Sequence, residues 1–422
     1  MNVFYGDVVV VGSGVAGLTC ALELSKEFDN IVLITKKFLE DSNSYLAQGG
    51  MAVMKSVEDR KVFLEDTLKA GHYKNNKRAV EILIDESQDA IRTLVGYGAK
   101  FQREKGEYSY TREGGHSVNR ILYCGDYTGR AIMEALIEKV KACSKIKILE
   151  KYTMEDLLIH NKVCYGIYAR GRENILIRGK KTVLATGGIG GIYKNSTNYS
   201  HIRGDGIALA IRHKVGLKDI SYVQIHPTAL YEEGDKRKFL ISESLRGEGA
   251  IILNHKKERF TYELNPRDIV SQAIIREMKK EEVSHQWLRL SNIKVDIEKR
   301  FPKIYEQLKS MAIDPYNEDV PIVPAQHYTM GGIEVDLFGR TSMLGLYAVG
   351  EVACTGVHGE NRLASNSLLE SVVYAKRVAK SIANSRYVKE YKGNFKINNL
   401  DSYRNSEVIG EVIKIDKLAK IK

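Results

Sequence analysis

Residue types that could do chemistry occur in short blocks rich in glycine. The first block reads G-S-G-V-A-G from Gly12 to Gly17, follows the apolar run Val8–Val11 and precedes a helical pattern of apolar residues. A buried parallel strand, a tight turn and a helix are predicted here. Gly12 would form the turn, Gly14 would let a pyrophosphate approach, and Gly17 would let the helix pack closely on the strand. Because the start of such a helix favours phosphate, the block predicts a dinucleotide site.

Other glycine-rich blocks end predicted strands and would bring more backbone to the same ligand. The block A-Q-G-G ends at Gly50, the strand Lys181–Ala185 runs into T-G-G-I-G-G, and a short strand from Gly345 ends at Glu351. Adjacent glycines allow close approach of the backbone, and the Glu351 carboxylate could bind a ribose or ribityl hydroxyl. The second strand, Asn30–Ile34, ends at T-K-K without the acidic residue that usually binds the ribose of NAD. This argues against NAD and leaves FAD open.

A second set of blocks carries arginine, histidine and glutamate. The block T-R-E-G-G-H-S begins at Thr111, and on local grounds a polar surface turn explains it equally well. Further along are Q-I-H-P-T from Gln224, S-E-S-L-R-G-E-G from Ser242, R-D-I-V from Arg267 and P-A-Q-H-Y-T-M-G-G from Pro324. Arginine suits a carboxylate ligand because its fork binds bidentately and stays charged. An isolated arginine or histidine is nevertheless more often part of a surface ion pair or a satisfied core.

The elements that must position these blocks alternate between strands and helices, which predicts an α/β fold. Helical periodicity is present at Asp59–Ala70 and Lys77–Tyr97, and strands are predicted at Ile146–Glu150 and Val163–Ala169. From about Tyr222 to His327 the alternation weakens and charge increases. This change predicts an inserted domain.

Composition excludes several classes of protein. The 422 residues are 43% hydrophobic and 28% charged, which is typical of a soluble globular protein with two or three domains. The five scattered cysteines form no C-x-x-C pair and predict reduced thiols, with neither disulfides nor a metal centre. Without a membrane span or a signal-peptide pattern, a cytoplasmic location and no membrane partner are expected. The net charge of +11 is spread along the chain and predicts a solvated basic surface, not nucleic-acid binding.

Taken together, the blocks resemble the succinate dehydrogenase/fumarate reductase flavoprotein superfamily and, within it, the L-aspartate oxidases. The matching blocks run in order from Gly12 to Leu369 and are G-S-G-V-A-G-L, A-Q-G-G, A-T-G-G, H-P-T-A-L, L-R-G-E-G-A, R-D-I-V, H-Y-T-M-G-G and A-S-N-S-L-L. The resemblance implies a Rossmann-like FAD-binding domain, 1–221 and 329–384, interrupted by a mobile α+β capping domain, 222–328. Residues 385–422 would be a shortened remnant of the family's C-terminal helical domain.

The same resemblance implies non-covalent FAD. Asn43 stands where membrane-bound succinate dehydrogenases have the histidine that bonds to the flavin. The residues implied to bind FAD are Gly12, Ser13, Gly14, Ala16, Gly17, Lys36, Ser44, Ala47, Gln48, Gly49, Gly50, Ala185, Thr186, Gly187, Asp205, Glu351, Asn366, Ser367 and Leu368.

The resemblance also assigns an active site for L-aspartate. Arg362 would hold one carboxylate, and Glu113 would face the ammonium group. Arg267 would be the general acid or base, although an arginine base is unusual because its pKa is so high; a relay would resolve this. The implied substrate-binding residues are Glu113, His226, Ser242, His327 and Arg362, and the implied catalytic residues are Arg267 with the relay Glu243 and Arg246.

The reaction implied is oxidation of L-aspartate to iminoaspartate, with O2 or fumarate reoxidising the flavin. It would be the first step of de novo NAD biosynthesis through quinolinate, with quinolinate synthase as a partner. The alternative is a soluble fumarate reductase or succinate dehydrogenase flavoprotein, against which only Glu113 and Asn43 argue. A non-catalytic flavin or nucleotide scaffold is a third hypothesis, but it would have no need of Arg267 and Arg362 in these blocks.

Overall fold

The computed structural model describes residues 2–234, 237–385, 391 and 393–395. The proposed C-terminal remnant, 385–422, therefore falls almost wholly outside the described residues. Within them the helices are α1 (Val15–Leu24), α2 (Asn43–Leu46), α3 (Val57–Ala70), α4 (Lys77–Asp85), α5 (Ser87–Gly96), α6 (Thr128–Ala142), α7 (Asp205–Arg212), α8 (Glu243–Gly247), α9 (Arg267–Glu281), α10 (Ile297–Arg300), α11 (Pro302–Ser310) and α12 (Asn366–Ala383).

The strands alternate with these helices along the chain. They are β1 (Asn2–Val11), β2 (Ile31–Thr35), β3 (Gly50–Ala52), β4 (Arg103–Glu104), β5 (Glu107–Tyr108), β6 (Tyr110–Thr111), β7 (Ile121–Tyr123), β8 (Ile146–Glu150), β9 (Thr153–His160), β10 (Val163–Arg170), β11 (Asn174–Leu184), β12 (Leu217–Lys218), β13 (Val223–Leu230), β14 (Ile251–Leu253), β15 (Gln286–Arg289), β16 (Val320–Thr329), β17 (Gly332–Glu334), β18 (Leu346–Ala348) and β19 (Ala353–Cys354).

The main sheet has the order β8-β2-β1-β11-β10-β9, and β18 also pairs with β11. β1 runs parallel to β2 and β11, whereas β9 and β10 extend the sheet in antiparallel fashion. The valines of β1 are buried on both faces of this sheet. Val8 and Val10 pack into one hydrophobic cluster with α1 and α12, while Val9 and Val11 pack into a second cluster with α7. An unbroken apolar run is what a strand covered on both faces requires.

A second, antiparallel sheet is formed by residues 223–329 in the order β13-β16-β15-β14. It packs with α9 and α11 around its own hydrophobic cluster, which includes Leu245, Ile274, Leu288 and Leu308. Smaller sheets, β12-β17-β19 and β3-β7-β6, lie beside the main one, and β4 pairs with β5. In the part of the chain that the structure describes, no helix is both long enough and apolar enough to span a bilayer.

One buried carboxylate joins the second sheet's helices to the main sheet's side of the molecule. Asp126, just before α6, accepts hydrogen bonds from the backbone N–H groups of Lys303 (3.2 Å) and Ile304 (3.0 Å) at the start of α11. Arg300 donates to the carbonyl oxygen of Gly125 at 3.1 Å beside it. Because the first N–H groups of a helix have no partner within the helix, Asp126 acts as a cap from outside α11.

Candidate functional site

A cavity lies where the parallel strands β1, β2, β11 and β18 end. This is the edge at which open α/β sheets bind their ligands. Of the nineteen residues that the resemblance assigns to FAD, those lining the cavity are Gly12, Ser13, Gly14, Ala16, Lys36, Ser44, Ala47, Gln48, Ala185, Thr186, Gly187, Asp205, Glu351, Ser367 and Leu368.

Glycine is required at two points of the first block for steric reasons. Gly12 has φ 117°, and a Cβ there would lie 2.1 Å from the carbonyl oxygen of Ala185. A Cβ on Gly17 would lie 2.0 Å from the carbonyl oxygen of Gly12, so Gly17 lets α1 pack on β1. At Gly14 a Cβ would meet only the Ser44 hydroxyl within 4 Å. Gly14 therefore keeps backbone open toward the cavity at the start of α1.

The polar groups that line the cavity fit a ligand with many hydrogen-bonding atoms. The buried side-chain oxygens of Ser42, Gln48 and Thr186 have no hydrogen-bond partner among the described residues. At the end of β2, Lys36 Nζ and Asp205 Oδ2 form an ion pair of 2.7 Å. Asp205 thus brings a carboxylate to the strand end where the sequence of β2 has none. Burial raises the pKa of Glu351 to about 7, although the Thr329 N–H donates to its carboxylate.

Four of the residues assigned to FAD lie behind the cavity wall. Gly17 packs α1 on β1, and a Cβ on Gly49 would lie 2.6 Å from Glu113 Oε1. A Cβ on Gly50 would clash with the carbonyl oxygen of Leu122, across the β3–β7 pair. Asn366 is fully buried and donates to Thr67 Oγ1 at 3.3 Å. The glycines of A-Q-G-G thus serve packing against neighbouring protein in this structure.

The cavity also contains residues that the sequence did not single out. Their positions depend on contacts between distant segments, and all but Tyr328, which is in the H-Y-T-M-G-G block, lie outside the glycine-rich blocks. They include Thr35, Asp41, Ser42, Tyr152, Met154, Asn198, His201, Arg237, Lys303 and Tyr328.

Arginine and glutamate meet next to the cavity, where α8 and α9 begin. Arg267 Nε donates to Glu243 Oε2 at 2.6 Å, and Arg267 Nη1 donates to Gln224 Oε1 at 2.9 Å. Arg246 Nη2 lies 3.6 Å from the other carboxylate oxygen of Glu243. Burial would raise the pKa of Glu243, but Arg267 and Arg246 hold it below its usual value. Glu243 is therefore an anion between two guanidinium groups, in the order that the proposed relay needs.

Two neutral histidines face each other in the same region. Burial, followed by the charge of Arg267, lowers the pKa of both His226 and His327 well below 6.5. The ring centroids are 5.2 Å apart, and His327 Nδ1 lies 2.8 Å from Thr197 Oγ1. The Thr228 backbone N–H donates to His226 Nδ1 at 3.2 Å, so the neutral ring carries its proton on Nε2. This Nε2 is buried and has no protein partner; it is a donor available to a ligand.

Arg362 is a buried cation without a carboxylate partner. Its Nη1 donates to the Ser367 hydroxyl at 3.0 Å, its guanidinium lies 4.8 Å from the centre of the Tyr328 ring, and its Nε has no partner. No carboxylate of the described residues forms an ion pair with it. Burial, and then the charge of Arg267, lowers the pKa of Arg362 to about 10. Such a group is poised to bind an anion.

Glu113 is the corresponding buried anion. Only 5% of its surface is exposed, and its two oxygens accept hydrogen bonds from Ser244 Oγ (3.1 Å) and Ser365 Oγ (2.6 Å). Neither partner carries charge, and no cation of the described residues lies within ion-pair distance. Ser242, the N-cap of α8, donates to Ser244 Oγ at 3.3 Å. The structure thus brings the assigned substrate residues together from segments more than a hundred residues apart.

Comparison with known proteins identifies the family to which the chain belongs. A family model described as "FAD binding domain" matches residues 7–368. The L-aspartate oxidase of Clostridium perfringens is 45% identical over 426 residues, 99% of this chain and 95% of that protein. The L-aspartate oxidase of Clostridium acetobutylicum is 46% identical over 90% of this chain and 88% of its own length.

The fold is also found in a solved quinol-fumarate reductase. That chain superimposes with a TM-score of 0.86 at 30% identity, covering 98% of this chain and 76% of the reductase chain. The α/β fold and the FAD cofactor expected from the sequence are thereby confirmed. The chain belongs to the succinate dehydrogenase/fumarate reductase flavoprotein superfamily, and within it to the L-aspartate oxidases.

Proposed function

We propose that the protein oxidises L-aspartate to iminoaspartate with FAD as cofactor. The observation that carries the proposal is that two buried charged groups, Glu113 and Arg362, form hydrogen bonds with serines but no ion pair with any residue that the structure describes. Burying an unpaired charge is costly unless a ligand supplies the partner. A ligand that satisfies both must present a cation and an anion, as an amino acid does. The relatives named L-aspartate oxidase support the same substrate.

The protein's own groups would bind and orient the substrate. Arg362 would bind one carboxylate through its guanidinium fork, and the free Nε2–H of His226 would donate to the other, with His327 beside it. Glu113 would accept from the ammonium group, and Ser242 would lie close by. Held at these points, the substrate would present its Cα–H in a single direction.

The chemistry that FAD supplies, when bound, is to accept the Cα hydrogen together with its bonding electron pair, that is, a hydride. A proton must also leave the substrate nitrogen, and the groups placed to take it are Arg267 and Glu243, in contact at 2.6 Å. The ionised Glu243 would draw a proton through Arg267, with Arg246 on its far side. We assign Arg267 as the proton-transfer residue and Glu243 and Arg246 as its relay.

The cofactor would be held without a covalent bond. Asn43 lines the cavity, donates to Asn198 and accepts from the Tyr199 N–H. Its amide nitrogen is not a nucleophile, so it cannot attach to a flavin as a histidine does. Of the nineteen residues assigned to FAD, we propose that the fifteen lining the cavity contact it and that the other four support the cavity wall from behind. We propose residues 222–328 as the capping domain over this site.

We place the reaction at the first step of de novo NAD biosynthesis through quinolinate, with O2 or fumarate taking up the electrons and with quinolinate synthase as the partner that uses iminoaspartate. The five free cysteines fit a reducing, cytoplasmic location.

The test is anaerobic mixing of the holoenzyme with L-aspartate, and separately with succinate, while the flavin absorbance is followed. Bleaching by L-aspartate, with peroxide formed on admitting air, is the expected result. Bleaching by succinate alone would overturn the proposal in favour of a succinate dehydrogenase or fumarate reductase. In the variant Glu113→Gln, the activity with L-aspartate should fall strongly, whereas the affinity for succinate should change far less.

A further inference from the structure

Glu113 is held by a chain of hydroxyl groups that reaches two other parts of the site. Ser244, in α8, donates to Oε1 at 3.1 Å and accepts from Ser242 Oγ at 3.3 Å. Ser365, just before α12, donates to Oε2 at 2.6 Å and accepts from the Gly50 N–H at 3.2 Å. Both serines are buried. The chain therefore fixes both oxygens of one carboxylate from opposite sides.

The direction of these hydrogen bonds determines how the carboxylate is oriented. A serine hydroxyl has one hydrogen to donate. Because Ser242 and the Gly50 N–H already donate to the two serine oxygens, each serine's hydrogen points at Glu113. Both oxygens of Glu113 therefore act as hydrogen-bond acceptors, which is the role that a substrate ammonium group would also require of them.

The chemical type of these partners matters as much as their number. A lysine or arginine at either position would neutralise Glu113 and compete with a substrate cation. Neutral hydroxyl groups orient the carboxylate while leaving it without an ion pair among the described residues. Gly49 closes another side, since a Cβ there would lie 2.6 Å from Oε1. A Cβ on Gly114 would lie 2.2 Å from Oε1 of Glu243. The loop that carries Glu113 therefore also packs closely on the proposed relay.

We propose that Ser244 and Ser365 are positioning residues that orient Glu113 as the acceptor for the substrate's ammonium group, and that they set the preference for an amino dicarboxylate over a dicarboxylate without an amine. This inference rests on the proposed function. It adds two residues, from α8 and the start of α12, that act on the substrate only through Glu113.

The test compares binding of two ligands to the holoenzyme by calorimetry. α-Methyl-L-aspartate keeps the amine and both carboxylates but has no Cα–H to lose, so its binding is measured without turnover. Succinate has the carboxylates alone. For Ser244→Ala and Ser365→Ala the affinity for α-methyl-L-aspartate should fall by up to roughly 10- to 150-fold, as expected for loss of a hydrogen bond to a charged group. Succinate affinity should stay within about twofold, because succinate has no amine for Glu113 to bind. A twofold change is smaller than the loss of one hydrogen bond would cause.

Controls separate this role from a structural one. Ser244→Thr keeps the hydroxyl and should restore the preference for the amine. Ser25→Ala removes a hydroxyl that donates to the Leu22 carbonyl at the end of α1, and it should change neither affinity. Equal losses for both ligands in the two alanine variants, or no loss for either, would overturn the inference. If Glu113→Gln also lost both ligands equally, the amine role of Glu113 would fail, and with it the proposed function.

Discussion

Replacement of Arg362 by methionine should abolish binding of a dicarboxylate without destabilising the protein. Burial lowers the pKa of this guanidinium from 12.5 to about 10. At about 1.4 kcal/mol for each tenfold change in protonation, its charged form is less favourable by about 3 kcal/mol in the folded protein than in water. Methionine has a similar length and no charge.

The substitution also removes favourable contacts, and these set the net magnitude. The hydrogen bond to Ser367 is worth about 1 kcal/mol, and the contact with the Tyr328 ring is worth about 1 kcal/mol. The free energy of unfolding of Arg362→Met should therefore be equal to that of the wild type or higher by about 1 kcal/mol. Arg120 is the matched control, because it is fully buried but paired with Asp59 at 2.9 Å and Asp66 at 2.6 Å. Arg120→Met should lose about 3–5 kcal/mol, since two buried carboxylates lose their cation.

The assay is urea unfolding of each holoenzyme, with and without succinate. At a succinate concentration of about 100 times Kd, the wild type should gain about 2.7 kcal/mol and Arg362→Met should gain nothing. A loss of more than 2 kcal/mol in Arg362→Met without succinate would show that the guanidinium is well satisfied within the protein. That result would refute the argument that its counter-ion comes from the substrate.

Three further predictions concern the parts of the fold that support the site. Asp126→Ala removes two hydrogen bonds at the start of α11 and should lower the free energy of unfolding, measured in urea, by about 2 kcal/mol. The control is Asp296→Ala, which removes a more exposed cap of α10 and should cost about 0.5–1 kcal/mol. Equal losses in the two variants would contradict a special role for the buried cap. Gly17→Ala would place a Cβ 2.0 Å from a backbone oxygen and should reduce the flavin-to-protein absorbance ratio. The control Gly96→Ala, whose Cβ would have no atom within 4 Å, should leave this ratio unchanged. Full flavin content in Gly17→Ala would disprove the packing role. Burial lowers the pKa of His116 to about 4, so the folded state binds fewer protons than the unfolded state between about pH 4 and 6.5, and stability should fall as the pH falls through this range. His116→Asn should remove up to about 3 kcal/mol of that pH dependence, and an unchanged slope in urea unfolding between pH 6.5 and 4 would count against it.

The first strand, turn and helix could be predicted because local rules and tertiary packing agree there. Val8–Val11 is buried on both faces, and the glycines that follow have the close contacts that the motif predicts. The helical pattern at Lys77–Tyr97 was predicted as one segment, but the structure divides it at Glu86 into α4 and α5. The hydroxyl of Ser87 donates to the Ile84 carbonyl at this break, a local competition that periodicity does not reveal.

The antiparallel part of the main sheet was harder to predict. β9 was missed, and β11 begins at Asn174, seven residues before the predicted start at Lys181. Polar side chains interrupt the alternation in both segments. The hairpin between β9 and β10 turns at Asn161 and Lys162, with φ 50° and 62°, and contains no glycine to indicate a turn.

The site shows the same limit on a larger scale. Locally, the block around Glu113 was equally consistent with a surface turn, and only contacts with Ser244 and Ser365, 131 and 252 residues away, decide the matter. Such contacts leave no periodic signal in a single sequence. Blocks of the whole superfamily indicated which residues would lie near one another. Only the tertiary fold shows their hydrogen bonds, and that Glu113 and Arg362 form no ion pair with a described residue.

Two unpaired buried charges need a rigid neighbourhood, because each could otherwise move toward water or toward the other. A fully paired network beside them provides it. Arg120 Nη1 donates to His116 Nδ1 at 2.9 Å, so the neutral imidazole donates from Nε2 to the Ala364 carbonyl at 2.9 Å. His116 lies three residues after Glu113, and Ala364 precedes Ser365. Arg120 therefore links the loop that carries Glu113 to the segment that carries Ser365, through His116. Because Arg120 is itself fixed by ion pairs with Asp59 and Asp66, this link keeps Glu113 in position to bind the substrate.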